Sequence, residues 1–197
     1  TNLLMIVDFE LVFENFTCAP VITDDGDISD IVERLKCGLG KNHKLSTLNM
    51  ELSFARVVDD FQLNILIILP RRFADFVLLN VTQTEGCNLL ANKQQMTLLQ
   101  LGRSSLNRYS NFPNRCPFQA HKLYYIRGYR WYMDSLPDFR IESQVKIYFD
   151  YHVDGQHIIE GFIDSSLRLK SAVANLVVVA VAVSFELTSI LRASIVA

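Results

Sequence analysis

The sequence predicts a mainly β protein with one helix, over about residues 88–106. Three observations carry that reading. Several runs alternate apolar and polar residues with a period of two, as strands with one buried face do. Turn-forming clusters such as Asp59-Asp60, Pro70-Arg71-Arg72 and Asp154-Gly155 separate those runs. Only one stretch combines apolar residues at helical spacing with few β-branched residues.

The elements follow in chain order. Leu3 to Phe13 is apolar with interspersed acids and reads as a first strand, ended by Cys18-Ala19-Pro20. Thr23 to Asp27 is an acidic turn. A calcium loop starting at Asp24 or Asp25 needs its Glu later than Glu33, so a solvated turn is expected. Ile28 to Cys37 fits a short helix or a strand, broken by Gly38 and Gly40. Leu48, Met50, Leu52 and Phe54 then alternate with Asn49, Glu51, Ser53 and Ala55. Phe61, Leu63, Ile65, Ile67 and Leu69 continue the pattern against Gln62 and Asn64. The short polar turn between these runs predicts an antiparallel hairpin.

Phe73 to Thr84 reads as another strand. Within it Asn80 shares parity with Phe76 and Leu78, although a glycan at Asn80 requires solvent; a bulge that shifts the phase would reconcile the two. From Asn88, a candidate N-cap, Leu89, Leu90, Met96 and Leu99 have helical spacing up to Gly102. Asn107 to Phe118 is a loop with Pro113 and Pro117. Leu123 to Met133 is aromatic, with Tyr124, Tyr125, Tyr129, Trp131 and Tyr132 around Arg127 and Arg130. Val145, Ile147, Phe149, Tyr151 and Val153 alternate with polar residues in the most regular strand. Asp154-Gly155 turns it back into a last strand, Ile158 to Leu169. These elements make one domain, residues 1–170. Residues 171–197 form an apolar tail, expected to be poorly ordered, with a membrane segment as the alternative; Glu186 and Arg192 oppose insertion.

Composition excludes several functions. The 197 residues are 50% hydrophobic and carry a formal net charge of −2, which leaves no basic footprint for nucleic acid. The aromatic–basic stretch is therefore read as a strand with two dressed faces and not as a base-stacking platform. No G-x-S-x-G, H-E-x-x-H or phosphate-binding glycine loop occurs, so neither an enzyme nor a cofactor is expected. His152 and His157, with Asp150 and Asp154, are the local metal-like group. On strands joined by a turn they are not expected to converge, and no metal is expected.

Four cysteines, Cys18, Cys37, Cys87 and Cys116, are separated by 18, 49 and 28 residues, and none forms a C-x-x-C. That spacing disfavours a zinc ribbon and favours an oxidising compartment; four buried thiols are the alternative. Sequons at Asn15 and Asn80 favour the same secreted setting as glycosylation sites. The chain begins at Thr1, so a signal peptide is expected upstream of it.

Five short motifs carry a family likeness. They are Phe13-Glu-Asn-Phe-Thr-Cys18, Leu35-Lys-Cys37, Leu78 through Cys87, Ser110-Asn111 through Cys116-Pro-Phe118, and Lys146-Ile-Tyr-Phe149, with Leu136-Pro137 ahead of the last. By these, Val7 to Val153 resembles the insect secreted proteins of the domain of unknown function 1091 family. That family is similar to MD-2-related lipid-recognition proteins and ganglioside-activator-like chemosensory proteins. The resemblance implies an immunoglobulin-like two-sheet β-sandwich or open cup, extracellular, with an apolar cavity for a lipid or other hydrophobic small molecule. Within it, Cys18–Cys37 and Cys87–Cys116 are expected, the two local pairings among the three that four cysteines allow. The second pairing makes the helix a candidate lid. The expected cavity lining is Leu48, Met50, Leu52, Phe54, Leu63, Ile65, Ile67, Val145, Ile147 and Phe149. The alternative is an extracellular interaction module or receptor accessory factor, without a small ligand, that uses an aromatic patch around Tyr124 to Tyr132. Contact with a membrane is expected only if the tail inserts.

Overall fold

Alternating strands of this kind bury one face each, and two sheets are the simplest way to bury those faces together. A computed structural model of the chain describes residues 9–22, 29–40, 46–91, 97–130 and 142–169. It contains a five-stranded and a three-stranded sheet facing one another. The strands are β1 (Phe9–Pro20), β2 (Val32–Gly40), β3 (Thr47–Phe54), β4 (Gln62–Leu69), β5 (Phe76–Glu85), β6 (Tyr124–Tyr129), β7 (Ser143–Val153) and β8 (Gln156–Leu169). Their order is β1-β8-β7-β4-β5 in the larger sheet and β2-β3-β6 in the smaller. Phe9–Arg168 form one unit; the rest of the chain, including the apolar tail, lies outside the described residues except for Leu169.

The register explains the burial pattern. β7 pairs antiparallel with β4 on one side and β8 on the other. Its residues Val145, Ile147, Phe149, Tyr151 and Val153 share one face, as the alternation requires. β3 is the middle strand of the smaller sheet, where Leu48, Met50, Leu52 and Phe54 are all buried. The β7–β8 hairpin turns at Asp154-Gly155, where both residues have positive φ, 52° and 76°. That pair of angles is the type I′ geometry that Asp-Gly favours.

Several expectations are corrected. The runs 48–54 and 61–69 do not form a hairpin: β3 lies in the smaller sheet and β4 in the larger. The connection crosses between the sheets, held by reciprocal backbone hydrogen bonds between Val58 and Phe118 (3.0 and 2.9 Å) and by the Ala55 amide donating to Ile31. The two apolar faces therefore oppose each other across the interior instead of lying side by side. The expected helix is found as two pieces, α1 (Gly86–Leu90) and α2 (Thr97–Leu106), with 92–96 outside the described residues. Asn88 is not the N-cap. Glu85 holds that position, and Asn88, inside α1, donates to the Glu85 carboxylate.

Gly38 does not break β2, which pairs with β3 as far as its last residue, at Gly40↔Thr47. A Cβ at Gly40 would lie 2.2 Å from the Thr47 hydroxyl, so the absence of a side chain permits the pairing. β1 likewise runs through Cys18 to Pro20. The parity conflict at Asn80 is resolved by a register shift between Ile67 and Ile68: Leu79 turns inward and Asn80 is exposed. The acidic turn at Asp24-Asp25 and the residues Trp131, Tyr132, Leu136 and Pro137 lie outside the described residues.

An apolar cavity between the sheets

The inward faces of the two sheets meet around a partly enclosed cavity of about 220 Å³. β3 contributes Leu48, Met50, Leu52 and Phe54; β4 contributes Leu63, Ile65 and Ile67; β7 contributes Ile147 and Phe149. All the predicted lining residues are there except Val145. That residue packs in an adjoining cluster with Leu69, Leu79 and Leu167, near the start of β7. The wall has further members beyond the predicted lining. They include Phe16 from β1, Phe61, Ile158 and Ile163 from β8, and Tyr129 from β6. Leu89 and Leu90 of α1, and Leu99, Gly102, Arg103 and Leu106 of α2, complete one side. Leu99, Arg103 and Leu106 follow the i, i+4, i+7 spacing of one helical face. The sequence reading did not single out Arg103; its place inside that apolar stripe is the one signal that could have found it.

Two disulfides brace the walls. Cys18–Cys37 joins β1 to β2 with Cα atoms 5.6 Å apart, and Cys87–Cys116 joins α1 to the 107–118 loop at 5.5 Å. Both spacings are ordinary for a disulfide. The first does not link neighbours within a sheet: β1 belongs to the larger sheet and β2 to the smaller, so it spans the sandwich. The second holds the loop whose Phe118 ring packs on Phe54, Phe61 and Tyr124 at centroid distances of 5.4, 5.6 and 4.8 Å. Asn111 fixes the same loop to β6, accepting from the Tyr125 amide (2.6 Å) and donating to the Leu123 carbonyl (2.9 Å).

The polar groups at the wall are few. Burial pushes the phenols of Tyr129 and Tyr151 up to about 12, although a hydrogen bond with Ser105 partly offsets this at Tyr129. Both rings therefore present neutral hydroxyls at ordinary pH. Tyr151 stacks on Phe61 with centroids 5.7 Å apart. Arg103 is the sole charged residue of the wall among the described residues.

The remaining candidate residues lie elsewhere. Asn15 and Asn80 are both exposed, as a sequon must be to accept a glycan. Tyr124 and Tyr129 are buried and Tyr125 is half-buried under Arg127, 4.2 Å away. Residues 124–129 thus do not present the expected aromatic surface. His152 and His157 do converge, contrary to expectation. They are cross-strand partners beside the Asp154-Gly155 turn, and such partners share a face. Their rings stack at 4.7 Å, and the potential ligand atoms of Asp150, His152 and His157 lie within 4.8 Å of one another. Hydrogen bonds engage each of them: His152 Nε2 with Asp150 Oδ1 (2.9 Å), Asn64 donating to the same oxygen (2.6 Å), and His157 Nε2 with the Ile159 carbonyl (3.2 Å). By strand alternation this group is on the sheet face opposite the cavity.

The fold and site define a disulfide-braced two-sheet β protein with an apolar interior cavity. Residues 63–147 match the model of a family described as protein of unknown function (DUF1091). No curated protein matches the chain. No helix among the described residues is long and apolar enough to cross a membrane.

Proposed function

We propose that the protein is a secreted, non-enzymatic carrier that holds a lipid or other hydrophobic small molecule between its sheets. The observation that carries this reading is the cavity of about 220 Å³ with an almost wholly hydrocarbon wall. A void of about 150 Å³ lined by Leu, Ile and Phe stays dry and takes a benzene-sized guest. The present cavity is somewhat larger, but below the roughly 300–1,000 Å³ of usual small-molecule pockets. It suits a slender apolar guest, such as one hydrocarbon chain. At about 24 cal/mol per Å³, space of this size forgoes on the order of 5 kcal/mol of packing. That is as large as the whole net stability of many domains, roughly 5–15 kcal/mol. A chain selected for stability alone would fill such a space with side chains, and a guest restores the missing contacts.

Two disulfides and two exposed sequons support secretion. The sequence likeness to lipid-recognition and chemosensory proteins points to the same class, with presentation of an apolar signal molecule as its narrower form. The test is native mass spectrometry of protein secreted from insect cells, with solvent extraction and displacement of an apolar fluorescent dye. A bound apolar adduct and displaceable dye are expected. Protein that carries no adduct and takes up no dye would overturn the carrier reading.

A further inference from the structure

Arg103 sits on the cavity wall with only 5% of its surface exposed. Its bonds go to neutral oxygens: Nη1 donates to the Asn107 side chain, and Nη2 to the Pro113 carbonyl (3.1 Å) and Asn114 Oδ1 (3.3 Å). The Nε–H is buried with no hydrogen-bond partner. Among the described residues no carboxylate forms an ion pair with it. Burial depresses the pKa of this guanidinium, yet such a group does not lose its proton in a protein. A buried charge without a counter-ion is costly, and a group retained at that cost in an otherwise hydrocarbon wall has a use.

We propose that the guest is an amphiphile with a carboxylate head, its hydrocarbon tail in the cavity and its head paired with Arg103. This rests on the carrier reading and names the ligand class for the same site. Three of the five guanidinium hydrogens are already committed within the protein. What remains suits a monoanion better than a phosphate dianion, which calls for a fuller cage of donors. The three bonds to residues 107–114 hold the guanidinium in place before the guest arrives, so little side-chain entropy is lost on pairing.

The test compares decanoic acid with decanol, which has the same chain length and a neutral head, by calorimetry and native mass spectrometry at neutral pH. A charge-assisted bond of this kind corresponds to about ten- to a hundredfold tighter binding of the acid. Arg103→Met should abolish that preference, with the acid then binding no more tightly than the alcohol. Lowering the pH through the carboxyl group's own pKa should also remove it in the wild type. Equal binding of acid and alcohol by the wild type would overturn the carboxylate inference and leave the carrier reading standing. A preference that survives in Arg103→Met would remove Arg103 from the role. Binding of neither probe, with no adduct and no dye uptake, would overturn both readings. The wild-type comparison needs no variant, so a folding defect in Arg103→Met does not protect the proposal.

Discussion

At the scale of single residues, the cavity depends on two glycines that lie under aromatic rings. A Cβ at Gly161 would meet the Phe149 ring at 2.1 Å, and one at Gly86 would meet Phe61 at the same distance. Gly161→Ala should therefore push Phe149 into the cavity and destabilise the protein by about 1–3 kcal/mol, as overpacking does. A urea melt measures the loss, and dye affinity should fall with it; an unchanged midpoint would mean the ring has room to move. The phenols give a second residue-scale prediction. Tyr129 and Tyr151 titrate near 12 in the folded protein, against about 10 for a solvated phenol. A raised folded pKa leaves stability intact below about pH 10 and erodes it as pH rises towards 12. Tyr151→Phe should make the alkaline decline shallower. Ultraviolet titration that found both phenols ionising near pH 10 in the native state would contradict the burial argument. At this scale the sequence was legible where alternation fixes a face, as for Leu48, Met50 and Leu52. It was not legible at Arg103, because a charge on a helix is ordinarily a solvated one.

Elements show a different division between what could be read and what could not. Alternation tells which face of a strand is buried, but not which strand lies beside it. That is why β3 and β4 were readable as strands and misread as a hairpin. The Asp154-Gly155 turn was legible because its two positive φ angles demand those residue types. The disulfides also belong to this scale. Loop-closure entropy gives about 3 kcal/mol for Cys18–Cys37 and about 3.5 for Cys87–Cys116. Their expected effects differ in place. Cys18→Ser with Cys37→Ser should lower global stability by about that first amount, read from denaturant unfolding. Cys87→Ser with Cys116→Ser should raise amide hydrogen exchange in α1 and the 107–118 loop and speed guest release, while exchange in β7 and β8 stays slow. An equal rise across β7 and β8 would mean the second bridge has no local role.

For the whole molecule, the family match at 63–147 is shorter than the folding unit. It spans from β4 to the middle of β7, and so omits β8, which pairs with β7, and β3, which pairs with β6. A fragment of residues 63–147 should show no cooperative unfolding transition by circular dichroism. A sharp transition in that fragment would show that the matched segment folds by itself. The larger sheet has β1 and β8 as neighbours, the first and last strands of the described chain. β1 must therefore wait for β8 to leave the ribosome before it gains its partner in that sheet. Until then the inward faces of the two sheets lack the cover that β1 and β8 supply through Phe16, Ile158 and Ile163. A ribosome that stalls before residue 156 should therefore release an aggregation-prone chain with an unpaired β7 edge.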